Sequence, residues 1–269
     1  MNSIGEPLLK IDGLTRRFTG LLAVDSVSFE IASGSVHAVI GPNGAGKTTL
    51  FNMISGLLPP TEGRLFLGGA EITRLRPNIR AALGIGRTFQ NIRIFGDMTV
   101  LENVMTGMQP RLGVSIVATI LRTRRGREEE RAAQAKGREL LRLVGIEDFA
   151  DRIASTLSYG DQRRLEIARA LGGDPKLLLL DEPAAGMNPT ETAALGTLLQ
   201  QLRGTGLTIL LVEHDMGFVM GLCDRITVLN FGRKIAEGPP TAIRSDPKVI
   251  EAYLGKRVAE RLMAERASA

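Results

Sequence analysis

The sequence predicts an α/β protein with a mostly parallel core sheet, an antiparallel β layer near the N-terminus and an inserted block of helices. Three observations carry that expectation. Short apolar, β-branched segments alternate with helical patterns along most of the chain. Several of them are apolar throughout, as strands of a parallel sheet covered on both faces must be. Between Asn91 and Thr156 the strand signals nearly vanish. A chain of 269 residues can bury a substantial apolar core in one large domain or two modest ones.

In chain order, Leu8 to Arg17 and Val27 to Ile31 alternate and are separated by turn residues, and Arg64 to Leu67 follows Glu62-Gly63, which together read as the antiparallel layer. Core strands are expected at Val36 to Ile40, Ile85 to Phe89, Leu177 to Leu180, Ile209 to Val212 and Ile226 to Leu229. Helical patterns run from Val100 to Gly107 and from Gly126 to Val144, and the Arg- and Glu-rich stretch Arg122 to Arg138 reads as a solvated helix face. After Asn230 a turn at Gly232 leads to Lys234 to Glu237, then Pro239-Pro240 and two short helical patterns ending near Leu254; Gly255 to Ala269 reads as a frayed helical tail. The expected division is a core of residues 1–90 and 157–254, an inserted helical subdomain of 91–156 and a tail of 255–269.

Composition narrows the function classes. A single cysteine, Cys223, cannot pair within the chain and suits a reducing compartment. Met1 to Lys10 lacks the basic start and apolar core of a secretion signal. Apolar stretches such as Leu112 to Leu121 and Leu177 to Leu180 fall short of the ~20 residues of a spanning helix. The net charge of +5 arises from mixed charges, and with 4% aromatics and no Trp there is little to stack on bases, so nucleic acid is not the expected partner.

Gly41-Pro42-Asn43-Gly44-Ala45-Gly46-Lys47-Thr48, followed by Thr49, satisfies the P-loop pattern between an apolar strand and a helix start. Glycines let backbone N–H groups curl around phosphates, the helix dipole favours the anion, Lys47 reaches the β and γ phosphates and Thr48 offers a hydroxyl to Mg²⁺. This pattern alone says nucleoside triphosphate and no more. The apolar run Leu177 to Leu180 ends in Asp181-Glu182, where Asp181 would hold Mg²⁺ and Glu182 would act as general base on the attacking water. His214 follows the strand Ile209 to Val212 and is placed to reach the γ-phosphate, whereas His37, inside a strand, reads as structural.

Leu157-Ser158-Tyr159-Gly160-Asp161-Gln162, running into a helix, resembles the signature motif of ABC ATPases, physically a second phosphate-binding helix start. The other elements of that family follow in order: Phe18 where an aromatic stacks on adenine, Gln90 where a glutamine contacts Mg²⁺, and Asn188 in the subunit-contact loop. The resemblance spans about Leu8 to Gly255 and implies an ABC cassette fold on the P-loop plan. It also implies ATP and Mg²⁺ as cofactors, with Ser158 and Gly160 completing the site of an opposite subunit. Arg87-Thr88-Phe89-Gln90-Asn91, Ala184-Ala185-Gly186-Met187-Asn188-Pro189, Glu213-His214-Asp215-Met216 and Ala252-Tyr253-Leu254-Gly255 look like the Liv-type importers of branched-chain amino acids.

That likeness implies a peripheral subunit at the cytoplasmic face of the cell membrane. Its partners would be two membrane-spanning permeases, a sister ATPase or a second copy, and indirectly an extracytoplasmic amino-acid-binding protein. The lipopolysaccharide-export ATPase shares the Tyr-containing signature and stays open as an alternative, as does a soluble ABC ATPase outside transport. Two departures stand out: Asp161 replaces the usual glutamine, and the Asn188 loop lacks the aspartate common in the wider family.

Overall fold

The computed structural model describes residues 7–112 and 124–255. The tail after Gly255 and parts of the stretches Leu112 to Leu121 and Arg122 to Arg138 lie outside them. The described residues group into two compact units, one within Met1–Arg76 and Ala193–Ala269, the other within Pro77–Thr192.

The first unit contains the antiparallel layer and part of the parallel sheet. Strands β1 (Leu9–Phe18), β2 (Leu21–Ile31), β4 (Glu62–Leu67) and β5 (Ala70–Glu71) form a four-stranded sheet in the order β2-β1-β4-β5. β1 has the expected length, whereas β2 is longer than the expected Val27 to Ile31, because register shifts against β1 between Ile11 and Arg17 interrupt the period of two. β3 (Val36–Ile40) pairs in parallel with both β8 (Thr208–Val212) and β9 (Arg225–Asn230), and β10 (Arg233–Gly238) runs antiparallel to β9. Every residue of β3 and β8 is buried, the reason both read as apolar segments with a single polar exception, His37 in β3 and Thr208 at the start of β8. Helix α1 (Lys47–Ser55) buries Leu50, Phe51, Met53 and Ile54 completely, each worth about 1.5–3 kcal/mol relative to exposure.

The second unit pairs β6 (Ile85–Arg87) in parallel with β7 (Leu177–Asp181) and surrounds them with helices. The six-residue α2 (Pro77–Ala82) is too short to show a period in the sequence; Pro77 supplies the fixed φ of a first helical residue. α3 (Val100–Leu112) opens on a reciprocal cap: Glu102 N–H donates to Thr99 Oγ1 at 3.2 Å, and Thr99 N–H donates to Glu102 Oε2 at 2.7 Å. α4 (Arg124–Leu143) and α5 (Tyr159–Gly172) complete this unit. Leu101, Val104, Leu141, Leu165 and Ile167 from these helices are buried. α6 (Pro189–Gly204) follows β7, and α7 (Met216–Leu222), α8 (Pro240–Ser245) and α9 (Pro247–Leu254) lie in the first unit. Among the described residues no helix is long and apolar enough to cross a membrane.

Candidate functional site

In the first unit, β3 delivers the chain into the loop Gly41 to Gly46, and α1 begins at Lys47. The loop is hemmed in by backbone. A Cβ on Gly41 would lie 2.1 Å from the Leu229 carbonyl oxygen, and one on Gly46, at φ 97°, would lie 2.4 Å from the Ala23 carbonyl oxygen. Only glycine fits either position. Gly232 N–H also donates to the Ala45 carbonyl at 3.1 Å. Lys47 is nearly buried, and its ammonium donates to the carbonyls of Gly41 at 2.7 Å and Pro42 at 3.0 Å, so the cation lies over the loop. α1 has no acidic residue in its first turn, which leaves its N-terminal dipole suited to an anion. Asn43, Gly44 and Thr48 are exposed, and Pro42 and Thr49 half-buried.

The other expected residues of this unit sit at strand ends. Phe18, the last residue of β1, is 41% exposed, with the Arg16 guanidinium 4.8 Å from its ring centroid on one face. His214 follows β8 with an exposed ring; its Nδ1 is 3.6 Å from the buried Glu213 carboxylate, which also accepts the His214 N–H at 2.9 Å. His37 behaves as the structural residue expected: it stacks on Phe29, its Nε2 is 2.9 Å from Thr227 Oγ1, and burial holds its pKa down to about 4. Burial pushes the Cys223 thiol up to about 12, so it stays protonated.

In the second unit, β7 ends in Asp181, only 3% exposed. Burial raises its pKa, while the Arg87 guanidinium 3.2 Å away works in the opposite direction. Glu182 follows with φ 47°, a left-handed conformation that a residue with a Cβ rarely adopts and that strained functional positions often show. Gln90 donates its amide to Glu182 Oε2 at 3.0 Å, so two of the expected residues, far apart in sequence, meet here.

The start of α5 lies in the same unit. Ser158 caps it by accepting the Asp161 N–H at 3.2 Å, and its hydroxyl is 2.7 Å from Asp161 Oδ2, to which it donates. Asp161 therefore acts as a first-turn acid of the helix. Tyr159 donates its hydroxyl to the Ala185 carbonyl at 3.0 Å. Asn188 and Glu191 form a second reciprocal cap, each side chain accepting the other's N–H at 3.0 Å, and the Glu191 carboxylate packs close to Gly160.

Sequence reasoning missed Arg87 as the partner of Asp181. It also missed Tyr253, whose phenol has a backbone hydrogen bond with Gly41. Both stand in stretches quoted for the Liv-type resemblance, but nothing local in either stretch announces its partner. The two caps were legible as Thr99-Val100-Leu101-Glu102 and Asn188-Pro189-Thr190-Glu191, the spacing of a capping box.

Comparison with known proteins gives the family. The profile of ABC transporters matches residues 24–185, and that of the branched-chain amino acid ATP-binding cassette transporter matches residues 233–259. The chain is 46% identical to the high-affinity branched-chain amino acid transport ATP-binding protein BraF of Pseudomonas aeruginosa, over 94% of this chain and all of that protein. It is 45% identical to the corresponding protein LivG of Escherichia coli, with the same coverage. The lipopolysaccharide export ATP-binding protein LptB of Escherichia coli is matched at 35% identity over 92% of this chain and 97% of that protein. A crystal structure of a nucleotide-free ATP-binding cassette from an ABC transporter superposes with a TM-score of 0.81 at 34% identity, over 93% of this chain and 100% of that one. The chain belongs to the ABC transporter family, as one of its ATP-hydrolysing cassettes.

Proposed function

We propose that this chain powers the uptake of branched-chain amino acids, hydrolysing ATP as one of two paired cassettes beneath two membrane-spanning subunits that receive their cargo from an extracytoplasmic binding protein. The observation that carries the reading is the Glu182 carboxylate held by the Gln90 amide at 3.0 Å, directly after the buried Asp181. A carboxylate held by a side-chain amide is fixed in direction, as a general base requires.

In this reading Phe18 stacks on adenine, and the backbone of Gly41 to Gly46 with Thr49 cradles the phosphates. Lys47 neutralises the β and γ phosphates, and His214 orients the γ-phosphate and the water that Glu182 activates. Ser158 and Gly160 serve the nucleotide of the opposite cassette, a second copy or a sister ATPase. The described parts of residues 91–156 serve as the helical subdomain. The groove lined by Phe89, Arg93 and Phe95 seats a cytoplasmic helix of a membrane-spanning subunit.

Mg²⁺ fits the residues present. Within the second unit Asp181 is a buried carboxylate whose ionised form needs a nearby cation, a need Arg87 meets in this structure, and Gln90 adds a neutral oxygen; the part of Thr48 rests on the family resemblance. Bound there, the ion supplies charge neutralisation at the phosphates.

Glu182→Gln should bind ATP normally while turnover in the assembled transporter falls by about 10²–10⁴-fold, the usual contribution of a general base. Unchanged turnover would remove Glu182 from the role. The lower identity to the lipopolysaccharide exporter, and the match of residues 233–259 to the branched-chain type, favour import over export.

A further inference from the structure

A buried ion pair inside the second unit ties the loop that carries Gln90 to the helix that begins after Ser158. Arg163 and Glu166, one turn apart on α5, are both fully buried, with Arg163 Nη1 2.8 Å from Glu166 Oε2. Each also reaches off its own helix. Arg163 donates Nη1 to the Phe89 carbonyl at 2.7 Å and Nη2 to the Gln90 carbonyl at 2.9 Å. Glu166 Oε1 accepts the N–H groups of Phe89 at 3.2 Å and Arg93 at 3.3 Å.

The loop needs these partners. β6 stops at Arg87, the Thr88 N–H still donates to the Leu179 carbonyl, and beyond it this side-chain pair supplies hydrogen bonds that a strand neighbour otherwise would. As a stabilising device alone the arrangement is poor, because two charges taken out of water cost more than their attraction returns unless hydrogen bonds saturate them, and a packed apolar pair would serve as well. What the guanidinium fork provides and an apolar pair does not is a fixed separation and direction for two successive carbonyls. Those carbonyls belong to Phe89 and to Gln90, the residue whose side chain holds Glu182. The same loop, through Phe89, Arg93 and Phe95, forms a wall of a groove of about 660 Å³ that Arg169 of α5 also lines.

We propose that Arg163 and Glu166 are positioning residues that make the groove wall, Gln90 and the start of α5 one body, so that a load placed in the groove reaches the Glu182 carboxylate and Ser158 together. The load rests on the groove's being the seat of a membrane subunit, as inferred above; the one-body claim does not.

The one-body claim is tested on the full chain alone by amide hydrogen exchange. In Glu166→Gln, a near-isosteric change that weakens the acceptor, the amides of Phe89 and Arg93 should exchange at least about tenfold faster, and those of Asp161 and Gln162 at the start of α5 should accelerate with them. Faster loop amides with an unchanged helix start would mean two independent bodies and would overturn the claim. So would no change at either place.

The coupling is then read in the assembled transporter as the ratio of substrate-stimulated to basal ATP turnover. Arg163→Lys keeps a cation beside Glu166 but cannot span both carbonyls, and should lower that ratio at least about threefold, whereas a merely structural loss scales both rates alike. An unchanged ratio would refute the coupling. Phe95→Asp separates the premises, since it should abolish co-purification with the membrane subunits. If it does not, the groove reading falls and the exchange result still decides the one-body claim.

Discussion

Helix α1 opens on Gly46, in a left-handed conformation and without a side-chain cap, whereas α5 opens on Ser158, whose hydroxyl already accepts the Asp161 amide and donates to its carboxylate. The first start has its own cation, Lys47, and no acid in its first turn. The second has Asp161 in its first turn and the Glu191 carboxylate against Gly160. Both are glycine-bearing helix starts of the type that binds phosphate, yet one is prepared for an anion and the other must exchange hydrogen bonds to accept one. The difference suggests a division of labour, in which the Gly41 to Thr48 loop sets nucleotide affinity and the Ser158 start sets how readily two cassettes close on it.

The largest test of that division is Ser158→Arg. It should leave ATP binding to the isolated chain intact while turnover drops on the order of 10³-fold, comparable to losing a donor aimed at a transition-state anion. A weakened ATP affinity of the isolated chain would place Ser158 in its own nucleotide site and break the comparison.

Acid should act on the first start through the strand that leads into it. His37 on β3 has a pKa of about 4 in the fold against 6.5 for an ordinary imidazole, because burial disfavours the imidazolium. Between those values the unfolded chain binds more protons, so stability present above pH 6.5 is lost as pH falls toward 4, by up to roughly 3 kcal/mol. Urea unfolding at pH 7 and at pH 4.5 should show this loss in the native chain and a smaller one in His37→Gln. Equal losses would indicate that other groups dominate.

Asp161→Gln is the smallest of the expected effects. If the Ser158 start serves a partner's nucleotide as proposed, removing this carboxylate should lower the ATP concentration needed for pairing by about threefold, while the loss of a first-turn acid lowers thermal stability by about 0.5 kcal/mol. Light scattering during ATP titration and a thermal melt read the two separately. Weaker pairing in the variant would show that the acid assists closure.

Much of this molecule was legible in its sequence where the determinants are contiguous. The phosphate loop is read from eight consecutive residues, β7 and β8 from unbroken apolar runs that end in acids, and β3 from a run that is apolar but for His37. Contacts made across long separations were not. Arg87 and Asp181 lie 94 residues apart, and Arg163 and Phe89 lie 74 apart, so nothing local in either segment announces the pairing. Backbone conformation was equally hidden, since the positive φ of Glu182 is imposed by the turn after β7 and runs against the preference of a glutamate. Strand Ile85 to Phe89 proved shorter, ending at Arg87, because the side chains of Arg163 and Glu166 hydrogen-bond the backbone of Phe89.

The central claim, that each chain supplies unlike halves of two sites, is tested most directly by mixing two inactive variants, Lys47→Ala and Ser158→Arg, under conditions in which the native chain turns over. A mixed pair then contains one site with both halves intact and one with both halves damaged. The account predicts that mixing restores ATP turnover toward about a quarter of the native rate, given random pairing and independent sites. Turnover that stays at the level of the separate variants would mean that both halves act within one chain, and would contradict it.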